Sequence, residues 1–366
     1  MIRWLRRLVL AVGLLVSACA TPVLSPDLAP HPGPPPAFQA RLAQLARGFD
    51  GRVGIAVEDV GARWIAAFDG ARLYPQQSVG KLWTALAVLD AVDRGVLSPD
   101  QPVTVHASDM SVFNQPMQKQ LVNDAYATTV DGLLVWSIAQ SDNAANDILV
   151  RLIGGPGAVR AAVRARRLGA IRAGELERVL EARIAGVAWK PEYSFGQAFW
   201  DARDKIPVPV RTAKLDAYVA HPRDGAAPMA LVDGLARLQR GELLSPASTA
   251  RFLAIMASTQ TGPLRLKAGL PEGWTIAHKT GTGQDLADLT TGYNDVGLIT
   301  APDGRVYAVA VMIAATRRPI PDRQALMADV ARAVVAEHDA ETGPPAKVST
   351  ALETRPAAAS GPSSPP

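Results

Sequence analysis

Residues 78–92 read S-V-G-K-L-W-T-A-L-A-V-L-D-A-V. Lys81, Thr84 and Asp90 are the polar breaks in a run that is otherwise apolar on every side. A helix without a polar face belongs inside a protein, so the run reads as a buried helix opened by Ser78. Upstream, F-Q-A-R-L-A-Q-L-A-R-G-F (38–49) has apolar residues at helical spacing. R-V-G-I-A-V-E-D (52–59) and R-W-I-A-A-F-D (63–69) follow, joined by V-G-A, and form a β-hairpin pattern. Downstream, residues 129–170 are mostly helical, with a break at Gly154-Gly155-Pro156. After residue 270 strands return: W-T-I-A-H-K-T (274–280), N-D-V-G-L-I-T (294–300) and R-V-Y-A-V-A-V-M-I-A-A (305–315). Pro302-Asp303-Gly304 turns the chain between the last two, and a helix over 322–338 closes the pattern.

Strands at both ends and helices between them predict an α/β (α+β) fold. One antiparallel sheet joins the two ends, flanked by the N- and C-terminal helices, and an all-helical lobe is inserted between them. Residues 38–70 and 270–340 supply the α/β part, and 71–269 the lobe, with an expanded loop over 171–220. A cleft is expected where the parts meet.

The ends of the 366-residue chain have a different character. Residues 1–18 combine Arg3, Arg6 and Arg7 with an apolar stretch too short to span a bilayer, the pattern of a signal peptide. It runs into V-S-A-C (16–19), which is similar to the lipobox of bacterial lipoproteins, and Cys19 is the sole cysteine. That resemblance implies cleavage before Cys19 and acylation of its thiol. Residues 19–37 are Pro-rich and read as a spacer, and 341–366 as a tail without a core. The expected location is the cell envelope, on an outer-membrane lipoprotein facing the periplasm.

Composition narrows the function. The net charge is +4, and removing the three arginines of residues 1–18 leaves +1, which gives no reason to expect a nucleic-acid partner. One cysteine excludes an internal disulfide. The five histidines, His31, His106, His221, His278 and His338, form no H-E-x-x-H, so no metal or other cofactor is expected.

Three short motifs carry the chemistry: Ser78-Val79-Gly80-Lys81 (S-x-x-K), Ser141-Asp142-Asn143 (S-D-N) and Lys279-Thr280-Gly281 (K-T-G). Positions i and i+3 of a helix share a face, so the Lys81 amine should lie near the Ser78 hydroxyl. A buried lysine beside other cations can lose its proton and then accept that of Ser78. The helix N-terminus favours a developing oxyanion.

In this order the trio resembles that of class A β-lactamases and penicillin-binding proteins. S-D-N-A-A-N-D with I-G-G-P, H-P-R-D-G-A-A-P (221–228), R-G-E-L-L-S (240–245), G-P-L-R (262–265) and L-P-E-G-W (270–274) are also similar to class A β-lactamases. The likeness covers about residues 38–338. It implies that Ser78 is acylated and that Ser141 relays a proton to the leaving nitrogen. It further implies that Asn143 holds the substrate amide, that Lys279, Thr280 and Gly281 belong to a carboxylate-binding edge strand, and that the Thr282 N–H joins that of Ser78 as oxyanion donor. V-F-N-Q-P (112–116) looks like the cleft-rim loop, with Phe113 as its aromatic.

The chain departs from the family in one place. The E-P-x-L-N string that carries the water-activating glutamate is absent. Aligning back from His221-Pro222-Arg223-Asp224 puts R-T-A-K-L-D (211–216) there, without a glutamate, and the segment is a few dozen residues longer. Within it, Glu192, in W-K-P-E-Y-S-F-G-Q-A-F-W (189–200), and then Glu181 are the candidate bases. The aromatics Trp189, Tyr193, Phe195, Phe199 and Trp200 read as packing residues. His278, next to Lys279 on a strand, should face away from the cleft, and Asp142 should order its loop.

The expected function is a serine hydrolase that is acylated by β-lactams, small-molecule substrates, and hydrolyses them. A peptidoglycan D,D-peptidase or transpeptidase and a non-turnover binder of penicillins or muropeptides are the alternatives. A monomer is expected, with a membrane as its partner through the lipid anchor.

Overall fold

The computed structural model describes residues 33–343. The leader, Cys19, most of the spacer and most of the tail lie outside the described residues. In chain order the elements are α1 (Pro36–Arg47), β1 (Arg52–Asp59), β2 (Ile65–Phe68), β3 (Tyr74–Pro75), α2 (Lys81–Asp93), β4 (Pro102–His106) and β5 (Ala125–Thr129). There follow α3 (Val130–Ala139), α4 (Asn143–Leu152), α5 (Pro156–Ala165), α6 (Glu177–Ala185), α7 (Ala198–Asp204), α8 (Val208–Ala220) and β6 (Gly225–Ala226). The chain then forms α9 (Pro228–Gln239), α10 (Pro246–Ala257), β7 (Thr275–Thr282), β8 (Asp285–Leu286), β9 (Leu289–Thr300), β10 (Val306–Thr316) and α11 (Ile320–Thr342).

The ends of the folded region meet in one antiparallel sheet of order β2-β1-β10-β9-β7, with β8 paired to β9. Its two faces separate by period-2 alternation. One cross-strand row is Ala56, Ala310, Val296 and Lys279; the next is Val57, Val309, Gly297 and His278. The apolar members of the first row pack with α2, α3, α4 and α9. Those of the second pack with Phe38 and Leu42 of α1 and Val330 and Val334 of α11. Lys279 therefore faces the helical lobe and His278 the terminal helices, where its Nδ1 lies 2.7 Å from Asp295 Oδ1.

The lobe is not all-helical. β4 and β5 pair with each other, and β3 pairs with β6. P-V-T-V-H and A-Y-A-T-T are rich in β-branched residues, and that propensity prevailed between the two helical stretches. Ser78 also does not sit in an α-helix proper. It lies in a 3₁₀ turn, Gln77–Gly80, and α2 begins at Lys81. In a 3₁₀ turn residues i and i+3 eclipse, which brings Ser78 and Lys81 into register.

The turn is held to the sheet by β9. The buried Asn294 side chain donates to Pro75 O at 2.8 Å and Gln76 O at 3.0 Å, and accepts from Ile313 N at 3.2 Å. Gly281 on the neighbouring strand makes room: a Cβ there would stand 2.4 Å from Gln76 O. Asn294→Ala should remove these donors and this acceptor, leaving Gln76 O with Val79 N alone, and lower stability by roughly 1–3 kcal/mol. Chemical denaturation of parent and variant measures it, and equal midpoints would contradict this role.

Candidate active site

The three motifs converge at the edge of the sheet. Lys81 Nζ lies 3.0 Å from Ser78 Oγ, 2.7 Å from Ser141 O and 2.5 Å from Asn143 Oδ1. Lys279 Nζ donates to Ser141 Oγ at 2.8 Å and Thr280 O at 2.9 Å. The Ser141 hydroxyl thus stands between two amines, with Lys81 at 3.5 Å. Both lysines are fully buried. Burial lowers the pKa of Lys81, against the pull of Glu177, Asp142 and Asp147. Burial and then the charge of Lys81 push Lys279 well below the ordinary lysine value.

Local structure fixes each group. Asp142 caps α4 through Ala145 N at 2.8 Å and receives Met117 N at 2.8 Å. This holds Ser141 in the left-handed region, φ +58°. Asn114 accepts from Asn143 N at 2.8 Å and donates to Ser141 O at 2.9 Å, tying the 112–116 loop to the S-D-N turn. Upstream of the serine, Gln77 has φ +54°. Its N–H donates to Asp224 Oδ2 at 2.8 Å, and its side chain donates to Tyr218 Oη at 2.7 Å. Asp224 is buried with its pKa pushed up to about 6, mainly by desolvation. The H-P-R-D segment thus positions the turn before Ser78.

Thr282 and Asn143 line a cleft of about 300 Å³ with Ser78, Phe113 and Glu181. β7 is the outermost strand of its sheet, so one backbone edge is not taken up by a neighbouring strand. The Thr280 hydroxyl lies 2.7 Å from that of Thr261. Arg265, within G-P-L-R, donates to Gly281 O at 3.0 Å and Thr282 Oγ1 at 2.7 Å, adding a buried cation beside K-T-G.

The glutamates require a correction. Glu192 is solvent-exposed and lies 3.8 Å from Lys190, in a surface ion pair. Its Pro-marked segment forms a 3₁₀ turn on the outside of the aromatic cluster. Glu181 does reach the cleft, where its carboxylate accepts from Gln284 Nε2 at 2.7 Å. Glu177, one turn earlier on α6, is the residue that sequence reasoning missed. It is buried, it is the leading carboxylate acting on Lys81, and Asn146 Nδ2 lies 3.4 Å from its Oε1. Its backbone N–H donates to Asp147 Oδ1 at 2.6 Å, which fixes the start of α6. The signal was present. E-R-V-L-E (177–181) keeps the glutamate and leucine of E-P-x-L-N at their spacing. The extra residues follow this string, so counting back from His221 stopped short of it.

The expansion folds as a 3₁₀ turn, α7 and α8. Trp189, Tyr193 and Phe199 pack with Val112, Ala182 and Ala185, as expected for packing aromatics. Phe195 and Trp200 differ, remaining 46% and 37% exposed. Phe113 stands at the rim against Phe199 and Trp200, with ring centroids at 4.9 and 5.3 Å.

The model of the beta-lactamase enzyme family matches residues 37–338. The chain belongs to that family. It is 31% identical over 301 residues to the extended-spectrum beta-lactamase PER-1 of Pseudomonas aeruginosa, covering 81% of this chain and 86% of that protein. A beta-lactamase structure from Chitinophaga pinensis superposes with TM-score 0.68 at 26% identity, covering 82% of this chain and 99% of the other. An ancestral (GNCA) class A beta-lactamase gives TM-score 0.65 at 30% identity, with coverages of 82% and 99%. Among the described residues, no group of His, Cys, Asp or Glu is placed to hold a metal ion.

Burial, then the charge of Glu177, raises the pKa of Glu181 to about 8 from 4.5. The folded chain therefore binds this proton more tightly than the unfolded one, and stability falls as pH rises from about 4.5 towards 8. Glu181→Gln should flatten that fall and stabilise the protein most at the alkaline end. Melting temperatures across pH 5–8 test this, and parallel curves would contradict it.

Proposed function

We propose that this protein is a class A-type serine β-lactamase that opens the lactam ring in two steps and so inactivates the antibiotic. The observation that carries the reading is the buried chain of groups Ser78–Lys81–Ser141–Lys279, with Glu177 beside Lys81. In acylation, Ser78 Oγ attacks the lactam carbonyl and its proton passes to the Lys81 amine, whose ammonium form burial disfavours. The N–H groups of Ser78 and Thr282 receive the oxyanion. The C–N bond then breaks, and the ring nitrogen takes a proton through the Ser141 hydroxyl, resupplied from Lys81. The Lys279 and Arg265 cations favour a substrate carboxylate at their end of β7.

Deacylation needs a base for water. Glu177 fills that role better than Glu181: burial raises the pKa of both, but at Glu177 the Lys81 amine works against that rise, whereas at Glu181 the Glu177 charge adds to it. Glu181, with a pKa of about 8, holds its proton at neutral pH. Glu177 takes a proton from water, the hydroxide attacks the ester carbonyl, the ester C–O bond breaks, and Ser78 Oγ receives a proton from Lys81, which Glu177 replaces. A carboxylate in that position supports turnover over the peptidase and non-turnover readings.

Ser78→Ala should abolish covalent labelling by benzylpenicillin in intact-protein mass spectrometry. Glu177→Gln should label normally but release the adduct roughly 10²–10⁴-fold more slowly. Glu181→Gln should release it much faster than Glu177→Gln does. Labelling of Ser78→Ala, or equal adduct lifetimes in parent and Glu177→Gln, would sink the mechanism.

We further propose that the enzyme works as a monomeric lipoprotein of the cell envelope, facing the periplasm. The support is the basic-apolar leader, the V-S-A-C string and the sole cysteine. Among the described residues no helix is long and apolar enough to cross a membrane. Cys19→Ser should move the protein from the membrane to the soluble fraction. An unchanged membrane fraction would argue for another attachment.

A further inference from the structure

The expansion after α6 puts its own side chains into the catalytic cleft. Trp200 and Arg203 of α7 share with Ser78 the lining of the 300 Å³ cavity. From Ser78 the cavity follows Thr282, Gly283 and Asp285, leading away from Lys279, which is buried under Ser141. A β-lactam with its ring carboxylate toward Lys279 and Arg265 and its carbonyl at Ser78 must extend its acyl side chain along this second arm.

What closes that arm has a distinct chemistry. Trp200 offers a partly exposed indole, tilted 49° to the Phe113 ring at the rim. The Arg203 guanidinium carbon lies 5.3 Å from the Trp200 ring centroid. Its Nη2 donates to the backbone carbonyl of Asp285, a neutral partner. Asp204 and Asp285 act on its charge without pairing with it: Asp204 pairs with Arg211 at 3.0 Å, and the Asp285 carboxylate accepts from Thr290 Oγ1 at 2.5 Å, while Glu181, in the same cavity, accepts from Gln284. Among the described residues no carboxylate pairs with Arg203. A guanidinium anchored by one nitrogen, stacked on an indole and facing a cleft, suits an anion bound next to an aromatic ring.

We propose that Trp200 and Arg203 form a side-chain subsite selective for penicillins whose acyl group carries an aryl ring with a carboxylate on the adjacent carbon. The inference rests on the β-lactamase reading above. The aryl ring packs between Trp200 and Phe113, and the carboxylate reaches the free edge of the Arg203 guanidinium. The expansion, which departs from the family's usual loop length, thereby determines specificity while the acylation machinery stays on α2, the S-D-N turn and β7.

The test is a ratio. Benzylpenicillin and α-carboxybenzylpenicillin differ only in that carboxylate, and 6-aminopenicillanic acid lacks the acyl group altogether. Second-order acylation rates for all three are read by quenched intact-protein mass spectrometry, which needs no turnover. Arg203→Gln should lower the carboxylated-to-neutral rate ratio by about tenfold, the worth of one charge-assisted hydrogen bond. Arg203→Lys should restore part of it. Trp200→Ala should lower the rates of both aryl penicillins relative to 6-aminopenicillanic acid. Ratios unchanged within about twofold in Arg203→Gln, with adducts still forming, overturn the subsite alone. Absence of any adduct in the parent, together with no ring-opened product, overturns the functional reading and the subsite with it.

Discussion

Two buried lysines sharing one hydroxyl set the terms for the rest of this molecule. Lys81 and Lys279 are both fully buried, and both reach Ser141 Oγ. Burying one ammonium costs several kcal/mol unless it is paired or neutralised, and two within reach of one oxygen repel each other. The protein meets this with carboxylates. Glu177, Asp142 and Asp147 act on Lys81, and Glu177 and Asp295 on Lys279. These acids come from α6, from α4 and its cap, and from β9. The helical lobe and the sheet edge must therefore meet accurately at this point, and the buried hydrogen bonds of Asn294, Asp142 and Asp224 serve that alignment. The positive φ of Gln77 and Ser141 lies at the two places where backbone is forced toward the lysines.

The meeting of the three motifs was legible in the sequence because it depends on short-range geometry. S-x-x-K places its two groups by helical spacing. K-T-G sits on a strand whose alternation decides which way Lys279 points, and the cross-strand row from Ala56 to Lys279 bears this out. The single antiparallel sheet joining the two ends followed from strands at both ends and helices between. Asp142 orders its loop, as its place between Ser141 and Asn143 implied.

The place of the buried glutamate beside Lys81 was less legible because it depends on where an insertion falls. Counting from the H-P-R-D segment assumed that the extra residues preceded the glutamate, whereas they follow α6. Glu192 looked plausible in its aromatic surroundings, but those aromatics pack inward on Ala182 and Ala185 and leave the carboxylate in solvent. Glu177 stood outside the expected window although its E-x-x-L spacing was intact. The β4–β5 pair was overlooked for a simpler reason: two five-residue strands between helical stretches give little periodic signal. The expansion is more than packing. Leu215 and Tyr218 of α8 brace Leu180 and Ile184 of α6 from behind, while α7 closes one end of the cleft.

The central claim is that burial turns Lys81 into a proton acceptor for Ser78. Lysine labelled with ¹³C at Cε reports each amine's titration by NMR in the intact protein. The account predicts that Lys81 titrates below the exposed lysines, and lower still in Glu177→Gln, since Glu177 raises it. A Lys81 signal that titrates together with the exposed lysines, in parent and variant alike, would contradict the account.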